Sequence, residues 1–172
     1  SFGSPGTSTP LLLAVAAALG YAVAAVGTTA QSARVPTIAL TLGWVLQGLW
    51  LAIDIAGLGR EQPGVRLGFG PVLSLAVWLI VAVHAVESRF VPLPAVRRWL
   101  AVAGALAMVL AWAFPGEVHV TATRWGPLHW VLGVASYGLF GAAVLHATLL
   151  DSAERQMRLR AGSRGPLGLP LL

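Results

Sequence analysis

The chain contains no cysteine, so disulfides, thiolate metal sites and thiol redox chemistry are excluded. It contains no lysine either, because all 11 basic residues are arginine. Charge of both signs is scarce: 10% of the 172 residues, against roughly 25% in a soluble domain. Missing too are the short motifs of self-contained catalysts. There is no Walker phosphate loop, no HExxH, no GxSxG and no pair of carboxylates inside an apolar run, so nothing points to an ATPase, a protease or a hydrolase, and no enzyme is expected. Imidazole and carboxylate are left as the available metal ligands.

What the sequence does have is apolar length. Hydrophobic residues make up 57% of it, and they fall into five runs, about 10–28, 36–56, 70–86, 97–114 and 126–150. Each is long enough to cross a ~30 Å hydrocarbon core as a helix. Helix is the only open-chain way to satisfy backbone groups in lipid. Pro10, Pro36, Pro71 and Pro127 stand at or beside the start of a run, where the missing N–H costs nothing. The expectation is a single all-α membrane domain, a polytopic transmembrane helical bundle of five spans, with a tail from 151 to 172. The opening SFGSPGTST lacks the positive charge of a cleavable signal, so the first run reads as a retained anchor. The tail begins as an Arg-rich helical continuation, AERQMRLR, breaks at AGSRGPLG, and ends on an apolar fragment too short to span. That ending suggests truncation at the C-terminus.

The arginines lie between the runs. With the N-terminus outside, the inner segments carry Arg34, Arg89, Arg97, Arg98, Arg155, Arg158, Arg160 and Arg164, and the outer ones only Arg60, Arg66 and Arg124. The positive-inside bias therefore favours N-out and C-in in a multi-pass membrane protein. The net charge of +5 then reports topology and anionic lipid, not nucleic acid.

The fifth run, RWGPLHWVLGVASYGLFGAAVLHATLLD, holds the candidate site. At 100° per residue His129, Gly133, Ser136, Tyr137 and Phe140 share one face, whereas His146 is turned roughly 100° away and aligns with Gly138 and Ala142. The two histidines are about 25 Å apart along the axis and serve different places. His129, between Trp125 and Trp130 at the outer interface, is suited to ligate haem iron while the indoles pack the porphyrin edge. The plainer alternative makes both tryptophans interfacial anchors and His129 a headgroup-level hydrogen bonder. His119, in the preceding outer loop, is a candidate second axial ligand. His84 and His146, at similar depth near the inner side, are a candidate inner pair, with the small residues Gly138 and Ala142 arguing instead for His146 on a packing seam. On the second run Gln47 and Asp54, seven apart with Trp50 beside them, share a face; intramembrane polar groups are costly and so are candidates for function or for interhelical bonding.

The stretch LHWVLGVASYGLFGAAVLHATLLDSAERQMR resembles the CcsA-type cytochrome c assembly family, in its short, HemX-like inner-membrane branch. It carries that family's His followed by an "SYG" core: His129, then Ala135, Ser136, Tyr137 and Gly138. GFGPVLSLAVWL, the ESR turn and the FPG after the fourth run look like the same branch. The resemblance implies haem as cofactor, handled at the outer face for attachment to apocytochrome c, with His129 as axial ligand and Trp125, Trp130, Ser136 and Tyr137 around it. Other cytochrome c maturation proteins would be its partners. Against the family pattern, the Trp-rich WWD segment is absent, Gln47 stands where relatives often carry His, and five spans replace about eight. The alternative is a membrane scaffold or accessory subunit without haem.

Overall fold

The computed structural model describes residues 5–27, 34–59, 61–90 and 94–163. Arg60 and Arg164 of the arginine count, the residues before Pro5 and the apolar end after Ser163 lie outside that set. All five apolar runs are helices: α1 (Pro5–Val26), α2 (Arg34–Trp50), α3 (Phe69–Glu87), α4 (Pro94–Ala113) and α5 (Gly126–Ser163). Each is long and apolar enough to cross a membrane. Pro10 departs from expectation. Because α1 begins at Pro5, Pro10 lies inside the helix, where it removes one i→i−4 bond.

The second run is continuous but changes hydrogen-bond register. After Trp50 it becomes a π-helical turn, Leu51–Ile55, in which the Ala56 N–H reaches the Leu51 carbonyl at 2.9 Å. Two short strands were not foreseen. β1 (Gly64–Leu67) and β2 (Glu117–Val120) pair antiparallel, with Gly64 opposite Val120 and Leu67 opposite Glu117. They clip the α2–α3 connection to the α4–α5 connection, and the Thr121 N–H extends the clip by donating to the Pro63 carbonyl at 2.9 Å. The fold remains all-α in class.

Helices α1 to α4 form a ring. α1 packs closely on α2 and α4, and α3 on α4, while α2 and α3 touch least; α5 lies outside, against α3 and β1. The sheet marks one end of the bundle. The continuation of α5 beyond Leu150 marks the other, called the tail end below. At 38 residues α5 is about 57 Å long, well over the span of a hydrocarbon core. Past Leu150 its charges pair at i,i+4, Asp151 with Arg155 at 2.8 Å and Glu154 with Arg158, which supports the helix where apolar packing has stopped.

The centre of the ring is polar. Tyr21 of α1 donates from its hydroxyl to Gln47 Oε1 of α2, and Gln47 Nε2 donates to both the carbonyl (3.0 Å) and the hydroxyl (2.9 Å) of Ser74 on α3. The Ser74 hydroxyl in turn faces Met108 Sδ of α4 at 3.8 Å. Tyr21, Gln47 and Ser74 have no solvent exposure, so their bonds must be made within the bundle, and in a low-dielectric interior a satisfied network of this kind fixes one arrangement. Glycines let it form. A Cβ on Gly104 would come within 2.8 Å of the Tyr21 ring, and one on Gly43 within 3.2 Å, so the phenol is gripped between α2 and α4. Large apolar side chains point the other way: Leu12, Leu19, Ile38 and Leu106 are each more than half exposed. An apolar outside is what lipid requires, and within it helices associate through small residues and interhelical bonds.

Where α2 and α3 do meet, two tryptophans close the gap. Trp44 and Trp78 stack with centroids 4.9 Å apart and parallel planes. Trp44 Nε1 donates to the Trp78 carbonyl at 3.0 Å, and Trp78 Nε1 to the Trp44 carbonyl at 2.9 Å. Each carbonyl has a second lone pair to offer, so both indoles are satisfied without breaking a helix.

Candidate functional site

The phase reading of α5 holds. Pro127, Val131, Val134, Ala135, Gly138 and Ala142 are buried or half-buried, and a Cβ on Gly138 would stand 3.7 Å from Ala76 of α3. This is the seam by which α5 rides on α3. His129, Gly133, Ser136, Tyr137 and Phe140 are all exposed and face away from the ring together.

On that open face the imidazole of His129 has no hydrogen bond or ion pair among the described residues; only its backbone N–H is engaged, with the Trp125 carbonyl at 3.1 Å. One turn further on, Gly133 has open space where a Cβ would be. Trp125 and Trp130 are 76% and 48% exposed and Tyr137 83%, so three large aromatics flank a bare imidazole with none of them packed inward. Ser136 is turned back on its own helix, its hydroxyl donating to the Leu132 carbonyl at 2.8 Å. Its role is therefore local unless that bond opens.

His119 is on β2, exposed, at the same end of the bundle as His129, with Nδ1 3.2 Å from the Glu117 carbonyl. If that nitrogen donates, Nε2 is left with its lone pair free. No group of three or more His, Asp or Glu side chains suited to a metal ion occurs among the described residues. The strip around His129 thus offers one imidazole beside a flat open surface.

His84 and His146, the candidate inner pair, stand in different surroundings. His84 is buried on α3, while His146 Nε2 lies 3.4 Å from Glu87 Oε1, one turn beyond His84. A carboxylate thus stands beside His146. Both partners of that contact are about half exposed, which makes it weak. His146→Gln is therefore expected to leave thermal stability within about 0.5 kcal/mol of the parent and any haem spectrum unaltered, as thermal melts and absorbance spectra of the purified variant would check.

Gln47 is wholly structural in its contacts. The π-helical turn carries Asp54 to β1, where its carboxylate meets Arg66 Nε at 3.5 Å, both side chains largely buried. Sequence reasoning counted Arg66 only toward topology. Its presence on the arginine-poor side, a short loop after an acidic residue at a span end, was the available signal for the pair.

No protein-family model, curated protein or solved structure matches the chain.

Proposed function

We propose that the chain is a multi-pass inner-membrane protein that binds or presents haem for cytochrome c assembly, as a chaperone or transport component and not an enzyme. One observation carries the reading: an exposed imidazole, His129, with no partner among the described residues, on a helix face cleared by Gly133 and lined by Trp125, Trp130 and Tyr137. Haem would supply an iron centre able to take an imidazole axial ligand. His129 would hold it and the aromatics would set the plane of the ring and keep water off it. Because α5 offers one side only, the second side of such a site would come from elsewhere, His119 or a partner such as apocytochrome c. One-sided ligation suits a protein that must let its cargo go.

The reading includes an orientation, N-out and C-in, resting on the arginine bias. It places the sheet end and His129 outside and the α5 tail inside. A reporter active only in the cytoplasm, fused after Ser163, is expected to be active; activity of an export-dependent reporter at that point would overturn the orientation and with it delivery on the outer face.

A second reading, a scaffold without haem, draws on the same open face of α5, which fits a partner helix as well as a porphyrin. The absorbance spectrum separates them. Protein purified with added haem is expected to show a Soret band dependent on His129, whereas a colourless, folded protein that takes up no haem leaves the scaffold.

A further inference from the structure

At the sheet end, α1, the π-helical turn, α4 and β1 enclose a cleft of about 280 Å³. Leu11, Ala14, Trp50 and Trp112 make apolar walls, and Asp54 and Arg66 stand together in it. The pair is incomplete. Arg66 Nε is buried, yet it makes no hydrogen bond among the described residues, and the 3.5 Å approach to Asp54 is its sole ion pair there. A guanidinium carries N–H donors in a rigid fork and no acceptors; its Nε is taken up facing Asp54, and the terminal amino groups, which are not buried and make no hydrogen bond among the described residues, are the donors a ligand in the cleft can meet. Asp54 therefore positions Arg66 without saturating it. The π-helical turn that delivers Asp54 is itself a device frequent at functional sites.

The chemistry that completes such a fork is a planar or tetrahedral oxyanion, carboxylate or phosphate. The walls say which kind of molecule brings it. Leu11 is 48% and Trp112 67% exposed, and the next turns of α1 and α4 continue as exposed apolar surface at Val15 and Val109. Asp54 and Arg66 are the charged residues of the lining, and the surface of the next turns of α1 and α4 is apolar at Val15 and Val109. That is the shape of a headgroup site with an acyl chain running on between α1 and α4.

We infer that this cleft is a phospholipid-binding site, in which the headgroup phosphate accepts from Arg66 and one acyl chain lies along α1 and α4. It is separate from the α5 face and does not depend on the haem reading. The site would tie the bundle to the leaflet at the sheet end through one ordered lipid.

Native mass spectrometry of the full chain in detergent, titrated with dioleoylphosphatidylglycerol, tests this. The parent is expected to hold one lipid more tightly than the rest, and Arg66→Gln to weaken it at least about tenfold, the loss of a charge-assisted hydrogen bond. Leu11→Trp, which fills the cleft and leaves the Asp54–Arg66 pair in place, is expected to do the same with unchanged helix content, so that the effect cannot be misfolding. Equal binding by all three proteins overturns the site. Oleate held as tightly as the phospholipid overturns the phosphate assignment, and inorganic phosphate held as tightly overturns the lipid one.

Discussion

Gly104→Leu should destabilise the bundle by about 3 kcal/mol, at the upper end of overpacking costs, seen as a large fall in the apparent melting temperature in detergent. The new side chain would enter α4 where even a Cβ comes within 2.8 Å of three Tyr21 ring atoms. The ring has nowhere to retreat. Its other face rests on Gly43 and its hydroxyl is bonded to Gln47, so making room for the leucine would break the hydrogen bond that ties α1 into the central polar layer. Two comparisons isolate the cause. Gly141→Leu, on α5 with open space around it, should be neutral or stabilise by up to about 1 kcal/mol through better helix propensity. Gly104→Leu combined with Tyr21→Ala should cost less than the two changes summed, because the leucine then occupies the space the phenol left. Additivity of the two would show that Gly104 and Tyr21 do not share that space.

His129→Ala should abolish or shift the Soret band of protein loaded with haem, at little cost in stability. The second half of that expectation follows from the structure, since the ring is exposed and makes no hydrogen bond or ion pair among the described residues. A spectral change therefore reads ligation and not folding. Added imidazole should restore the band in the alanine variant, because the space vacated on an open face admits a free ligand of the same chemistry. Failure of the substitution to change the spectrum would move the iron ligand elsewhere, to His119 first. Absence of any haem uptake by the parent protein would sink the haem reading altogether.

Helices and their partners differed in how far they could be read from the chain alone. Five helices were legible because length and hydropathy alone decide them in lipid, and the phase of α5 was legible because 100° per residue is a local rule. His129 and His146 parted in the structure as they did on paper. Gln47 was visible as a costly polar group, but its partners were not: Tyr21 and Ser74 are 26 and 27 residues away, and only the packing of three helices brings them together. The π-helical turn left no mark, since LAIDI reads as ordinary helix. The strands GVRL and EVHV were too short for alternation to show, and each needs the other to exist. For the same reason Arg66, which depends on both the turn and the strand, passed as a loop charge.

The Trp44–Trp78 pair has a consequence for how the ring can open. Three of its four edges are held by broad packing, which is undirected and resists parting along its whole length. The α2–α3 edge is held by directed bonds, two indoles that bond each other's backbone and the Gln47 amide on Ser74. Parting α2 from α3 would break all four of these hydrogen bonds.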